Sequence, residues 1–305
     1  MTGDSMASAV FAPGTLSREG QPIIRDAESA LLPNPWLSVD PLYPGGFFPP
    51  LRPLAAQKAE DALGVRLRET AEARLRMDWP AARVAAEHAA ALAMEGDQPE
   101  CEACAQLELA ATELLAGEVD AAERLYRVMD DGSPAQRRRA ALGLAVCTGV
   151  RGGFAEALDA IRAAMKDAEP DDADLALLRA NRAAALVGLG RLREAEAEGA
   201  EALRAGRRGK DDPLTAVGGF ALAMAHLARG RRADARTRLA DAVRGFARAG
   251  DVLRQVQCHH LLGEISYDGE DPIRAGAHYR DALGLARPAG AVHTVELLTL
   301  RFEHR

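Results

Sequence analysis

Cys101 and Cys104 stand one helical turn apart in "CEAC", the spacing of a dithiol redox centre or of half a zinc site. A second candidate set, Cys258, His259 and His260, forms "CHH". Redox use of a C-x-x-C pair calls for a strand feeding the helix, and no strand pattern precedes Cys101. Zinc needs two ligands beyond the "CEAC" thiolates. If helical layers stack linearly at about 10 Å each, "CHH" lies roughly 40 Å away. No metal is therefore expected. His259 and His260 are adjacent, so they point to different faces of a helix, one into packing and one toward a groove. Acid–base or nucleophilic work would require a second acid or a nucleophile beside them, and no spacing supplies one. "GRRGKDD" lacks the first glycine and the Ser/Thr of a phosphate-binding loop. The chain is read as not an enzyme, with no cofactor.

Three basic clusters, Arg137–Arg139, Arg207–Lys210 and Arg231–Arg232, fall at a helix start and in two kinds of turn. They do not sum to one stripe, and no aromatic platform accompanies them. With a formal net charge of −7, no nucleic-acid partner is expected. No window approaches 18 consecutive apolar residues, so no membrane partner is expected either. Four cysteines in 305 residues make no disulfide framework, and the N-terminus has no secretory pattern. The expected location is cytoplasmic.

The elements that would position these residues are helices. Aromatics make up only 4% of the chain, so the core rests on Ala, Leu and Val. From Ala55 onward, 3.6-period segments alternate with Gly, Asp or Pro. A turn of the form small-polar-x-x-x-Ala recurs in "MDWPAA", "GEVDAA", "GGFAEA", "GRLREA", "GRRADA" and "EDPIRA". Its last alanines are Ala82, Ala122, Ala157, Ala195, Ala235 and Ala275, spaced 40, 35, 38, 40 and 40. A near-fixed period in this range, helical on both sides of the turn, signals a solenoid of helical hairpins.

The last unit carries Leu262-Gly263, Ala275, Tyr279, Ala282 and Leu283, which resembles the tetratricopeptide (TPR) pattern. Gly263 and Ala275 are then the small residues where the two helices of a hairpin touch, and Tyr279 fills the groove to the next repeat. The resemblance covers about residues 55–305, although several units exceed 34 residues and the first has Glu69-Thr70 where Leu-Gly belongs. It is similar to the TPR arms of bacterial signalling ATPases and transcription regulators, without their ATPase or DNA-binding parts. The expected fold is all-α: a right-handed solenoid of about six TPR-like hairpins, with a cap helix over Val292–Phe302. Residues 1–53 form an arm ahead of the repeat domain at 54–305, largely non-helical apart from a short helix in "QPIIRDAESALL".

What the resemblance implies about a site is a concave groove lined by the first helix of each hairpin. The positions that fall there are Leu107, Leu114, Leu142, Val146, Ala180, Ala184, Phe220, Met224 and Leu227, with His260 and Tyr267 in a more polar sixth unit. Tighter packing that buries this stripe within the repeats gives the same sequence pattern. The arm stretch "LPNPWLSVDPLYPGGFFPPLRPL" holds Trp36, Tyr43, Phe47 and Phe48 and seven of the sixteen prolines. An extended Pro/aromatic segment has little entropy to lose and several anchors to offer. It docks either on its own solenoid or in a partner. The functional expectation is a protein–protein interaction scaffold or adaptor that binds an apolar peptide or helix in this groove. The alternative is a stand-alone sensor module for a small molecule or signalling peptide.

Overall fold

The computed structural model describes residues 39–40, 43–44, 48, 61–129, 133–166, 173–289, 295 and 299. Twelve helices are present among them. They follow in pairs: α1 (Ala62–Leu75) with α2 (Trp79–Glu95), α3 (Pro99–Leu115) with α4 (Val119–Arg127), and α5 (Pro134–Val150) with α6 (Phe154–Lys166). The remaining pairs are α7 (Ala173–Gly188) with α8 (Leu192–Arg208), α9 (Asp212–Ala228) with α10 (Arg232–Ala249), and α11 (Val252–Asp268) with α12 (Pro272–Ala286). In the arm, β1 (Val39–Asp40) pairs antiparallel with β2 (Tyr43–Pro44). The fold is a TPR-like array of helical hairpins. The helix expected over "QPIIRDAESALL" and the 53/54 boundary lie outside the described residues.

The hairpins are built by one local device. Each first helix ends in a residue of positive φ: Met77, Gly117, Gly152, Gly190, Gly230 and Glu270. The next amide then donates back to the carbonyl five residues earlier. Asp78 bonds Ala73, Glu118 bonds Glu113, Gly153 bonds Thr148, Arg191 bonds Leu186, Arg231 bonds His226 and Asp271 bonds Ser266, at 2.8–3.0 Å. This 6→1 bond satisfies carbonyls that the helix end leaves open. Where glycine is missing, in the first and last hairpins, Asp78 and Asp271 also cap the following helix through Ala81 N–H (3.1 Å) and Arg274 N–H (3.0 Å). The six turn alanines are all buried, at the contact the repeat pattern assigns to them.

The described residues divide into two compact units, cut at Phe48/Pro49, Cys147/Thr148 and Gly245/Phe246. In the unit containing Phe48 and Thr148–Gly245, α8 and α9 meet backbone to backbone. A Cβ on Gly206 would stand 2.5 Å from the Thr215 nitrogen, and one on Gly218 would overlap Leu203. Only glycine permits an approach this close.

In the other unit, Tyr279 lies across Gly263, so that a Cβ there would stand 2.6 Å from the ring. The ring thus packs inside its own hairpin, where the sequence pattern assigned it to the groove of the next repeat. Its hydroxyl donates to Glu264 (2.6 Å), and that bond orients the ring onto α11. Gly263→Leu is expected to lower stability by about 1–3 kcal/mol in a urea titration, through overpacking against Tyr279. Unchanged stability would place the helix contact elsewhere.

The same unit joins helices far apart in sequence. Met77, Leu115 and Leu253 form one buried cluster, with Trp79, Val252 and Ala289 against it. The linear stacking used above to separate repeats two and six therefore fails, because α3 and α11 are brought together. Of the expected cap helix, only Val295 and Thr299 are described; both are helical, and Val295 packs on Val256, Ala282, Leu283 and Ala286.

Candidate functional site

Helix α7 forms readily from "ADLALLRANRAAALVG", whose Ala, Leu and Arg are strong helix formers. Near its middle stands Asn181, fully buried and one of two asparagines in the whole chain. Its Nδ2 donates to the Leu177 carbonyl one turn back (2.9 Å), which fixes the amide plane. The free edge faces Phe48. Asn181 Oδ1 accepts from the Phe48 N–H (2.7 Å), and Nδ2 donates to the Phe48 carbonyl (2.9 Å). One side-chain amide thus satisfies both main-chain groups of one arm residue, as a neighbouring strand would.

The Phe48 side chain is held separately. Only 2% of the residue is exposed, and its ring meets Phe220 of α9 edge to face, with centroids 5.7 Å apart at 88°. Such pairs contribute about 0.5–1.5 kcal/mol beyond the area they bury. Asn181 and Phe220 sit on the first helices of successive hairpins, so the repeat itself sets their separation.

The other positions expected on this face are placed as follows. Ala180 and Ala184 on α7, and Met224 and Leu227 on α9, are buried, as is Phe220. In the other unit, Leu107 and Leu114 (α3), Leu142 and Val146 (α5) and His260 (α11) are buried, whereas Tyr267 is half-buried. Of the arm anchors, Trp36 and Phe47 lie outside the described residues, and Tyr43 is described only as the strand partner of Asp40. Asn181 was absent from the sequence-based set. Its signal was available: a lone polar amide on an apolar helix in a chain nearly devoid of asparagine.

Fixed charges flank α7 and α9. Glu198 is paired with Arg179 (3.1 Å) and Arg182 (3.0 Å) of α7. Glu196 takes Arg229 and Arg231, and His226 Nδ1 lies 3.5 Å from it. Burial holds the His226 imidazole below its ordinary pKa, and the Arg231 guanidinium adds to that. These pairs orient Arg229 and Arg231 toward carboxylates of the same unit.

In the other unit, Arg74 of α1 and Glu108 of α3 form an ion pair with both partners buried. The Tyr126 hydroxyl, buried nearby with no hydrogen-bond partner among the described residues, is pushed well above its usual pKa, chiefly by burial. Arg254 is fully buried and donates to Gln257 Oε1 (2.7 Å); burial lowers its pKa.

The cysteine motifs carry no activated thiol. None of the four cysteines forms a disulfide among the described residues. Burial raises the Cys101, Cys104 and Cys258 thiols, the reverse of what a thiolate nucleophile needs. Gln136 Nε2 bonds the Glu100 carbonyl (2.8 Å) and reaches Cys104 Sγ (3.6 Å), tying α5 to the start of α3. The two adjacent histidines do diverge: His260 faces Glu264 and Tyr279, while His259 faces Asp281 and His278.

No protein-family model matches the chain, and no curated protein matches it. Solved structures do match in fold. One is a Rap protein complexed with Competence and Sporulation Factor, at 13% identity over 78% of this chain and 70% of that one, with a TM-score of 0.57. Another is aspartyl phosphate phosphatase F from Bacillus subtilis, at 12% identity over 79% of this chain and 78% of that one, with a TM-score of 0.51. At such identities the likeness is one of fold, and it agrees with the TPR-like hairpins described above.

Proposed function

We propose that the chain is a peptide-binding interaction module, an adaptor or regulatory arm, whose first-helix face holds an extended apolar segment. The carrying observation is the double main-chain bond from Asn181 to Phe48 beside the Phe220 ring. A residue inside an α-helix has its N–H and C=O committed internally. Asn181 therefore selects an extended peptide over a helix, narrowing the two ligands considered from sequence. The same bonds tolerate any side chain, while Phe220 favours an aromatic one. That a Rap protein of similar fold was solved with Competence and Sporulation Factor bound supports a peptide as the ligand class.

In this reading residues 1–53 are an arm and 54–305 the repeat domain, and the arm's Phe48 occupies the site in cis. Ala180, Ala184, Met224 and Leu227 shape its apolar floor with Phe220. Leu107, Leu114, Leu142, Val146, His260 and Tyr267 are the corresponding first-helix positions of the other unit. Among the described residues no helix is long and apolar enough to cross a membrane. Peptide binding at Asn181 needs no cofactor, and the cytoplasm is the compartment proposed for the module.

The test is a titration in trans. A fluorescent peptide of the arm sequence YPGGFFPPLRP is added to full-length chain carrying Phe48→Ala. Saturable one-to-one binding is expected, weakened when both peptide phenylalanines are alanine. Wild-type chain should bind the peptide more weakly, because a tethered segment competes at an effective concentration on the order of millimolar. No binding to either chain would remove the reading.

A further inference from the structure

We propose that His259, His278 and Asp281 form a site for a divalent transition-metal cation of the zinc class, with one coordination position left open. His259 comes from α11, and His278 and Asp281 come from α12. The last two are three residues apart and so share a helix face. One ligand atom from each of the three lies within 4.8 Å of the others. The His259 and His278 rings are 5.7 Å apart and tilted by 46°, so that small side-chain rotations turn both toward a common point.

The separation between His259 and Asp281 is informative. Nδ1 of His259 stands 3.5 Å from Asp281 Oδ2. An N–H···O hydrogen bond spans about 2.7–3.2 Å, so this pair is too long for one. It is close to the roughly 3.3 Å edge of a tetrahedron whose metal–ligand bonds are about 2.0–2.1 Å. His259 Nδ1 is buried and has no hydrogen-bond partner among the described residues. A lone pair facing a carboxylate is repelled unless a proton or a cation lies between them.

The ligand set narrows the cation. Two imidazoles and one carboxylate suit zinc and its borderline neighbours, while calcium and magnesium take oxygen ligands throughout. Both histidines are half-buried and Asp281 is exposed, so a cation enters from solvent. The fourth position would be filled by water or by a ligand from outside the chain. Because the ligands span α11 and α12, the cation would clamp the last hairpin. None of these residues belongs to the Asn181 site, and the two proposals stand or fall separately.

Untagged full-length protein stripped with EDTA is titrated with zinc chloride by calorimetry. One ion per chain is expected, with heat stability rising as zinc is added. Losing an outer partner of a metal ligand already weakens affinity about 10–100-fold. His259→Ala and Asp281→Asn, which remove direct ligands, should each weaken binding at least tenfold and abolish the stability gain. His88→Ala, on an exposed histidine of α2, should change neither. Cobalt should report the same site through visible bands of four-coordinate geometry. Asp281→Asn alters an exposed side chain, so its result stands even if His259→Ala unfolds. Absence of one-to-one uptake, or uptake unchanged in Asp281→Asn, would overturn the site.

Discussion

Asn181→Ala, introduced into the Phe48→Ala chain, is expected to weaken binding of the YPGGFFPPLRP peptide by about five- to 150-fold. Two main-chain hydrogen bonds are lost, each with a net contribution of about 0.5–1.5 kcal/mol, and every 1.4 kcal/mol is tenfold in affinity. Helix content should stay as it is. Within α7 the amide makes one side-chain bond to Leu177, and alanine is the better helix former. Circular dichroism and peptide anisotropy on the same sample separate the outcomes. Loss of helix together with binding would mean that Asn181 serves the core. Unchanged affinity would mean that the peptide is not read through its main chain.

A second large effect is expected in the other unit. Arg74→Leu should lower stability by about 3–5 kcal/mol, because it removes the buried guanidinium that pairs with the buried Glu108 carboxylate. The double replacement Arg74→Leu/Glu108→Leu should recover most of this loss, since an apolar pair often replaces a buried ion pair at little cost. Urea titration of the three variants reads both values. A loss below about 1 kcal/mol for Arg74→Leu would be typical of an exposed pair and would contradict the burial described. Arg74 and Glu108 belong to the unit in which Met77 and Leu115 meet Leu253, so the variant also probes how sequence-remote hairpins are joined.

The repeat was legible in the sequence because one local rule writes it six times. A residue of positive φ, a 6→1 bond and a buried alanine recur at each hairpin. Even Met77 and Glu270, which break the glycine rule, are marked by the aspartate that follows. The contact of α3 with α11 was not legible, since no single repeat encodes a contact between helices so far apart in sequence. First-helix positions such as Leu142 and Met224 could not be sorted into groove and core, because both environments select the same apolar types. Phe48 stood out by composition, but its partner did not. A search for apolar stripes passes over Asn181, although a buried amide that must find partners is the more informative residue.

If Asn181 holds an extended residue by its main chain, the Phe48 amide reports it directly. Its proton is donated to Asn181 Oδ1 in a buried setting. Site-resolved hydrogen exchange on the intact chain should show that proton protected, and the protection should vanish in Asn181→Ala while the amides of α7 and α9 remain slow. A Phe48 amide that exchanges at the rate of an unstructured chain in the wild type, beside protected α7 and α9 amides, would contradict the account.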